Sequence, residues 1–457
     1  MMSLAEAAAA TQGRFAGADV RFDGVSTDTR TLAPGQLFVA IRGERYDGHA
    51  FLGTARERGA AAALVDARHA AALPLPAVVA DDTRLALGRL GRHWRLRFAP
   101  AVIAITGSNG KTTTKEMLAA ILRRHAGEPG VLATRGNLNT DIGVPMTLLG
   151  LRAAHRYCAI ELGMNHPGEI AALADIARPT VALVNNAQRE HQEFMHSVEA
   201  VAEENASAFE ALPADGVAVL PAEDAMAPAM RRKAGARRRL EFGLAAGDVT
   251  GRYELKTLHS EIVVRLPGAE ARATLAIPGL HNVRNALAAA ACAHAAGVPA
   301  EAIGEGLAAF RPYSGRLQVK RAASGATVID DSYNANPDSV RAAIDVLASF
   351  PAPTVLVLGD MGEVGEKAEE FHREVGAYAS SKGISSLLAL GDGTRASALA
   401  FGAAGHHARS LEDLLAAVRG RATADATVLV KGSRFMRMER VVDALAGEAR
   451  DAKGGVH

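Results

Sequence analysis

A short glycine-containing segment carries the clearest chemical signal in this sequence. It is Thr106-Gly-Ser-Asn-Gly-Lys-Thr-Thr-Thr114, and it follows the apolar run 102–105. Its glycines allow a tight turn whose N–H groups bind phosphate oxygens at the start of a helix. Lys111 would reach the β- and γ-phosphates of a nucleotide, and the Thr112 hydroxyl would ligate Mg²⁺. Because Ile105 replaces the first glycine of the usual G-x-x-x-x-G-K-[ST] spacing, this is a shorter phosphate loop; the alternative is a turn with a surface lysine.

Two further polar residues follow strand-like runs in the same region. Glu161 ends the run 158–161, and His191 comes after the run 181–184. In an open parallel sheet the ligand cleft lies beyond the carboxyl ends of the strands, so we expect both side chains to converge on the phosphate loop. A carboxylate there can hold Mg²⁺, which prefers hard oxygen ligands. Taken alone, Glu161 would be a surface charge and His191 a solvated or hydrogen-bonded histidine.

Two polar loops later in the chain predict a second ligand. Asp330-Asp-Ser-Tyr-Asn-Ala-Asn-Pro337 follows an apolar run and leads into a helix that we expect to start near Pro337. Gly359-Asp-Met-Gly-Glu363 follows the next run at the same relative place. Polar loops at two strand ends that face one cleft indicate a substrate site. The alternative is that they only cap helices.

The elements that must position these residues indicate an α/β fold, because short apolar runs alternate with helical stretches. We expect three domains: a small α/β unit at 1–98, a central phosphate-loop unit with a mostly parallel, doubly wound sheet at 99–312, and a C-terminal Rossmann-like α/β unit at 313–457. Alternation at 261–266 predicts antiparallel strands at one edge of the central unit. A long alanine-rich helix is expected at about 282–296.

Length and composition are those of several ordinary globular domains. The 457 residues include 51 Lys and Arg against 50 Asp and Glu, a net charge of +1 that argues against a nucleic-acid partner. The basic run 231–239 is expected on a solvated surface helix. The two cysteines, Cys158 and Cys292, exclude a disulfide scaffold. Without a signal-peptide pattern or a run of about 18 apolar residues, we expect a soluble cytoplasmic protein with no membrane insertion.

With these motifs in view, the chain resembles the Mur ligase family over nearly its whole length, and most closely the member that adds a dipeptide. The matching segments are the phosphate loop 106–113, 136–145, 161–169, the H-N-x-x-N motif 281–285, the polar loops 331–337 and 358–363, Arg316, and the N-terminal segments 26–30 and 43–49. The resemblance implies that the N-terminal unit binds a UDP-sugar substrate. It implies that the central unit binds ATP and that the C-terminal unit binds ATP and the dipeptide.

The resemblance also implies roles for individual residues. ATP contacts are implied for Thr106, Gly107, Ser108, Asn109, Gly110, Lys111, Thr112, Thr113, Asn282, Asn285, Arg316 and Asp331. Contacts with the UDP-substrate are implied for Thr27, Arg30, Asn137, Asn139 and Thr140, and contacts with the dipeptide for Asn334 and Asn336. The implied metal ligands are Thr112, Glu161 and His191, and the implied catalytic residues are Lys111, Glu161 and His191.

One departure from the family pattern concerns a lysine. The family has N-x-x-x-x-H-L-[DE], followed by a lysine that is carbamylated and bridges metal ions. The residues that fit are Asn186, His191 and Glu193. Asn205 occupies the place of the lysine, and the sequence has no lysine between Lys115 and Lys233. We therefore expect Asn205, or Glu203 or Glu204 beside it, to do the bridging.

The activity that the resemblance implies is ATP-dependent amide ligation in peptidoglycan precursor synthesis. The carboxylate of a UDP-N-acetylmuramoyl-tripeptide attacks ATP, and the amine of D-alanyl-D-alanine then attacks the resulting acyl phosphate. ATP, two Mg²⁺ ions and a monomer are expected. Alternatives within this chemistry are another amino-acid-adding Mur ligase or a folylpolyglutamate synthetase. An alternative from another class is a phosphate-loop kinase or NTPase. The weakest alternative is a UDP-sugar-binding module without catalytic activity, because it would leave Lys111 without a role.

Overall fold

The computed structural model describes residues 1–71 and 73–447. Its three largest sheets have five, six and six strands and lie in the N-terminal, central and C-terminal parts of the chain. The N-terminal elements are β1 (Met2–Ser3), α1 (Leu4–Thr11), β2 (Arg14–Ala16), β3 (Arg21–Phe22), β4 (Val25–Ser26), β5 (Leu37–Val39), α2 (Leu52–Glu57), β6 (Ala62–Asp66), β7 (Ala77–Ala80) and α3 (Thr83–Arg95). Strands β2-β7-β6-β5-β4 form a mixed sheet with β2 antiparallel at its edge. Asp82 caps α3 by accepting from the N–H groups of Arg84 and Leu85.

The central sheet positions the phosphate loop. Its region comprises β8 (Ala101–Thr106), α4 (Lys111–Ala126), β9 (Val131–Ala133), α5 (Gly143–Leu148), β10 (Tyr157–Glu161), α6 (Glu169–Ala177), β11 (Val181–Val184), α7 (Gln192–Met195), α8 (Val198–Ala206), β12 (Val217–Pro221), α9 (Ala227–Ala234) and β13 (Arg238–Phe242). The strands are all parallel, in the order β13-β12-β11-β8-β10-β9. The loop strand β8 therefore lies between β10 and β11, and the α/β prediction is confirmed.

Two sequence expectations in this region are wrong in part. The alternating segment forms antiparallel strands, as predicted, but not at an edge of the central sheet: β14 (Thr250–Leu255), β15 (Ser260–Leu266) and β16 (Ala269–Leu275) form a separate sheet. The reason is that the buried alternate side chains of β15 belong to the core around helices α10 (Leu280–Ala295) and α11 (Ala300–Ala309). The basic run 231–239 is not one helix, because α9 ends at Ala234 and the run continues into β13.

Helices α4, α10 and α11 pack closely beside the central sheet. Residues 286–293 of the alanine-rich α10 are all buried, so that helix is part of the core. Gly306 in α11 lies so near α4 that a Cβ there would be 2.3 Å from the Ile121 Cα. Only glycine permits this approach, which supports the helix that carries the phosphate loop at its N-terminus.

The C-terminal sheet has the order β17-β18-β22-β19-β20-β21, with only β17 antiparallel. Its elements are β17 (Gln318–Arg321), β18 (Thr327–Asp331), α12 (Pro337–Leu347), β19 (Thr354–Gly359), α13 (Ala368–Ser381), β20 (Ser386–Leu390), α14 (Thr394–Phe401), β21 (Gly405–Ala408), α15 (Leu411–Arg419), β22 (Thr427–Lys431) and α16 (Glu439–Ala446). The short edge strand β17 was not predicted. No helix in the described part of the chain combines the length and apolar character needed to cross a membrane.

Candidate functional site

The phosphate loop joins β8 to α4 through two glycines in the left-handed region. Gly107 has φ +125° and Gly110 has φ +81°. A Cβ at Gly110 would lie 2.4 Å from Oδ1 of Asn285, so a side chain has no room there. Helix α4 begins at Lys111, and its first N–H groups face the loop. The arrangement is the anion-binding turn that the sequence predicts.

Asn205 supports this loop from behind. Its Oδ1 accepts hydrogen bonds from Thr106 Oγ1 at 2.5 Å and from the Gly107 N–H at 2.9 Å, and its Nδ2 donates to the Val201 carbonyl at 2.9 Å. The residue is 1% exposed. Its amide oxygen is thus occupied by the loop, and this placement differs from the metal bridging that the sequence suggested.

The two neighbouring acids on α8, Glu203 and Glu204, are not placed to bridge metal ions at the phosphate loop either. The Glu204 carboxylate accepts from the N–H groups of Gly168 and Ile170, both at 2.8 Å, and so satisfies the N-terminus of α6. Glu203 is exposed on the surface of α8. Neither residue lines the cleft described below.

Glu161 lies beside the loop at the end of β10, as predicted, and is 2% exposed. Its Oε1 accepts from Thr112 Oγ1 at 3.2 Å and from Asn139 Nδ2 at 2.9 Å. Its Oε2 is buried, and no residue in the described ranges bonds to it. A buried carboxylate oxygen without a partner, next to a threonine hydroxyl, matches the hard oxygen ligands of Mg²⁺. These residues therefore fit the metal that the family resemblance implies.

A charged cluster on the other side of the loop contains a residue that the sequence reasoning missed. Nζ of Lys111 lies 2.7 Å from Oε1 of Glu190 and also donates to the Gly107 and Ser108 carbonyls. Burial would raise the pKa of Glu190, but Lys111 and His191 outweigh it and lower that pKa. An acid directly before the predicted histidine was the available signal.

His191 stands between two carboxylates. Its Nε2 lies 3.5 Å from Glu190 Oε1, and its Nδ1 lies 2.5 Å from Glu363 Oε2 in the C-terminal polar loop. Burial would lower the pKa of His191, yet the contacts with Glu190 and Glu363 prevail and raise it to about 9. The central and C-terminal parts thus each place one carboxylate beside His191.

An array of asparagines connects the loop to α10. Asn185 Nδ2 donates to the Asn109 carbonyl at 2.7 Å and to Asn285 Oδ1 at 2.9 Å, and Asn285 Nδ2 donates to Asn282 Oδ1 at 3.1 Å. Asn282 and Asn285 line a cavity of about 400 Å³ together with Thr113, Arg316 and Asp331. The structure therefore brings seven of the twelve predicted ATP residues to one cavity: Asn109, Gly110, Thr113, Asn282, Asn285, Arg316 and Asp331.

The C-terminal residues reach the loop directly. Arg316 donates to Thr112 Oγ1 at 3.4 Å and stacks on Tyr333, with its Cζ 4.3 Å from the ring centroid. Asn336 is the N-cap of α12, so the helix-cap alternative holds for it. Its Nδ2 also donates to Asn109 Oδ1 at 2.9 Å, so the cap touches the phosphate loop as well.

Arg189 makes a second connection between the central and C-terminal parts. Its guanidinium lies 2.6 Å from Asp338 at the start of α12 and 2.7 Å from Glu374 in α13. The side chains of Arg189, Asp338 and Glu374 are 24%, 23% and 29% exposed. Both carboxylates raise the pKa of Arg189, with Glu374 the larger influence. The pairing therefore links the segment after β11 to two helices of the C-terminal part.

A larger cleft of about 1260 Å³ contains most of the remaining predicted residues. Its lining includes Lys111, Thr112, Asn137, Asn139, Thr140, Glu161, Glu190, His191, Asn334, Asn336 and Lys431, whose ammonium lies 2.6 Å from Asp331. Thr27 and Arg30 do not line it. Arg30 pairs with Asp28 and its side chain is 72% exposed. The structure therefore gathers the phosphate loop with the dipeptide residues, but not with these two N-terminal residues.

Comparison with known families agrees with this arrangement. Residues 21–95 match the model of the Mur ligase family catalytic domain, 105–293 the Mur ligase middle domain, and 315–434 the Mur ligase glutamate ligase domain. The UDP-N-acetylmuramoyl-tripeptide–D-alanyl-D-alanine ligase of Escherichia coli K12 is 41% identical over 438 residues, which cover 95% of this chain and 96% of the relative. The ligase of that name from Bacillus subtilis 168 is 34% identical, with 92% and 93% covered.

Solved structures agree as well. MurF from Acinetobacter baumannii superposes with a TM-score of 0.90 at 34% identity, covering 97% of this chain and 98% of that one. MurF from Thermotoga maritima in complex with ADP gives a TM-score of 0.81 at 25% identity, with 93% and 97% covered. The sequence, the fold and the convergence of residues on the phosphate loop lead to one conclusion: this chain belongs to the Mur ligase family.

Proposed function

We propose that this protein is an ATP-dependent ligase that joins D-alanyl-D-alanine to UDP-N-acetylmuramoyl-tripeptide in peptidoglycan precursor synthesis. The observation that carries the proposal is the meeting of the phosphate loop with both sheets in one cleft. Asn336, a proposed dipeptide contact, bonds to Asn109, so a group for a second substrate lies beside a group for the nucleotide. Arg316 of the C-terminal part bonds to Thr112, so that part also reaches the nucleotide groups. The names of the relatives, at up to 41% identity over nearly the whole chain, support the same substrates.

The proposed division of labour follows the chain. Residues 1–98 hold the UDP-sugar substrate, 99–312 bind ATP, and 313–457 bind ATP and the dipeptide. Thr27 and Arg30 lie outside the cleft lining, and the family resemblance assigns them to the UDP end of a substrate whose reacting carboxylate is at the other end. The proposal includes a cytoplasmic location, since nucleotide-linked precursors and ATP meet in the cytoplasm. It also includes a monomeric state.

In the first chemical step the substrate carboxylate attacks the γ-phosphorus of ATP, the bond from the γ-phosphorus to the β–γ bridging oxygen breaks, and ADP leaves, which gives the acyl phosphate. A carboxylate is a poor acylating agent because oxide is a poor leaving group, and phosphorylation supplies a better one. The N–H groups of the loop and the α4 N-terminus hold phosphate oxygens. Lys111 leaves Glu190 and neutralises charge on the transferring phosphoryl group. Thr112, Glu161 and His191 would hold two Mg²⁺ ions, which when bound neutralise phosphate charge.

In the second step the amine of D-alanyl-D-alanine attacks the acyl carbonyl, and phosphate leaves. Asn334 and Asn336 are proposed to hold the dipeptide. Both residues line the cleft beside the loop. The acyl phosphate reacts readily with water, so the contacts of Arg316 and Arg189 across the two sheets serve to exclude water while the amine approaches.

Ligation is tested by incubating the chain with UDP-N-acetylmuramoyl-tripeptide, ATP, Mg²⁺ and D-alanyl-D-alanine, with products identified by mass spectrometry. We expect one phosphate released per molecule of ligated product. Little phosphate should be released when either the UDP-N-acetylmuramoyl-tripeptide or D-alanyl-D-alanine is omitted. Glu161→Gln should lower the rate by about a hundredfold or more. The matched surface variant Glu128→Gln should not, because Glu128 is exposed and pairs only with Arg123 among the described residues.

The outcomes that would contradict the proposal are distinct. Phosphate release from ATP alone at the full rate would identify an NTPase. Ligation of a single amino acid in place of the dipeptide would identify another amino-acid-adding member of the family. A folate product would identify a folylpolyglutamate synthetase.

A further inference from the structure

The cleft contains a buried carboxylate that the mechanism above uses only as a resting partner for Lys111. This residue is Glu190, and it is 9% exposed. We propose that Glu190 supplies the anionic oxygen ligand of the second divalent cation, in place of the carbamylated lysine that this chain lacks. The inference rests on the proposed function, because it deepens the account of the same site.

The first support is an unsatisfied oxygen. Oε1 of Glu190 bonds to Lys111, whereas its Oε2 is buried and has no hydrogen-bond partner among the residues that the structure describes. Burying such an oxygen without a partner is costly. Glu190 also lines the large cleft, so a cation bound there can reach it.

The second support is the position of Glu190 in the sheet. Glu161 is the last residue of β10 and contacts Thr112, and Glu190 lies in the segment that follows β11 and contacts Lys111. Strands β10 and β11 lie on opposite sides of β8. Two carboxylates therefore approach consecutive residues of the loop from its two sides. Each has one buried oxygen to which none of residues 1–71 and 73–447 makes a hydrogen bond.

The third support is a charge argument. Before nucleotide binds, Lys111 neutralises Glu190 at 2.7 Å. When Lys111 turns toward the phosphates, Glu190 loses this partner and remains buried. An ionised carboxylate in such a place needs another cation, and a divalent ion between Glu190 and the phosphates satisfies both.

Other candidates for this role are less suitable. The amide of Asn205 is occupied by the loop, and the Glu204 carboxylate is occupied by the start of α6. Glu203 is exposed. Glu363 reaches His191, but its side chain is 48% exposed and it belongs to the C-terminal loop. Glu190 remains as the buried carboxylate next to both Lys111 and His191.

The test counts ions and needs neither the tripeptide nor the dipeptide. The full chain is saturated with a non-hydrolysable ATP analogue and titrated with Mn²⁺, and bound ions are counted by electron paramagnetic resonance. We expect two ions for the unaltered chain and for Glu199→Gln, a matched change at an exposed acid outside the cleft. Glu190→Gln should bind one. Buffer free of bicarbonate should leave the count at two, because no carbamate is involved.

The results that would overturn the inference are equally specific. Two ions in Glu190→Gln, at unchanged affinity, would mean that Glu190 only pairs with Lys111. A single ion in the unaltered chain, or a count that falls without bicarbonate, would also refute it. If Glu190→Gln does not fold, Glu190→Asp takes its place, with the second ion expected to bind at least about tenfold more weakly. Failure of ligation with the ion counts as expected would refute only the proposed function.

Discussion

Replacing Arg189 with methionine should separate the central and C-terminal parts without unfolding either. The guanidinium makes hydrogen bonds of 2.6 to 3.2 Å to Asp338 and Glu374. Methionine keeps an apolar stem that can pack near Phe371, whose ring centroid lies 5.1 Å from the Arg189 Cζ. The substitution therefore removes the charge and the hydrogen bonds more than the packing.

The expected magnitude follows from the burial of these groups. Hydrogen bonds to charged groups contribute about 1.5–3 kcal/mol net, and breaking a fully buried ion pair costs about 3–5 kcal/mol. The three side chains are about a quarter exposed, and Arg341 also pairs with Glu374, so we take the lower part of this range. A loss of about 2 kcal/mol lowers the equilibrium constant for the joined arrangement by about thirtyfold.

The assay is kcat/KM for ligation, with the radius of gyration in the presence of a non-hydrolysable ATP analogue measured by small-angle scattering. Arg189→Met should lower kcat/KM about thirtyfold and increase the radius. Arg341→Met is the matched control, because Arg341 contacts Glu374 within the C-terminal part alone, and its effect should stay within about threefold. Equal losses in both variants, or an unchanged radius for Arg189→Met, would refute the reasoning.

Three further predictions concern buried groups. Asn205→Ala removes the acceptor for two loop donors, so ATP affinity measured by calorimetry should fall about tenfold; equal affinity would show that the loop keeps its shape alone. Burial raises the pKa of Cys158 to about 12 and that of Cys292 further, so at about pH 8 a thiol reagent should label the chain only after denaturation; labelling of the native chain would contradict this. Trp94→Phe removes the indole donor to the Leu151 carbonyl, which keeps the Arg152 guanidinium as a donor, and should lower the free energy of unfolding by about 1 kcal/mol in a denaturant titration. Unchanged stability would contradict the last prediction.

The inner strands of the central sheet could be predicted closely because buried parallel strands are short runs of apolar residues, whereas its edge strands β9 and β13 were not predicted. The expected strands 102–105, 158–161 and 181–184 correspond to β8, β10 and β11 within one residue at each end. The edge strand β17 escaped prediction, since its four residues alternate between half-buried and exposed positions and carry no apolar run. The Mur ligase family could be recognised from the sequence because several separate motifs carry the resemblance. The matches to the family models confirm it.

The site was only partly accessible to sequence reasoning. Strand ends directed attention to Glu161 and His191, which do lie beside the loop. The place of Glu190 directly before His191 was the one signal for it in the sequence, and only the fold shows that it is buried against Lys111. In the same way, the register of α8 identified Asn205, but the direction of its amide depends on how α8 packs beneath the loop.

The order β11-β8-β10 has a consequence for how such a centre can change. Adjacent strands are held about 4.8 Å apart by main-chain hydrogen bonds, so the strands that end near Glu190 and Glu161 are separated by about 10 Å, with the loop strand between them. This separation depends on the backbone and not on the identity of the side chains. Substitutions in the segments at the ends of β10 and β11 can therefore place the carboxylate on a different residue. The spacing between the two strands, and so between the two sides of the phosphate loop, stays the same.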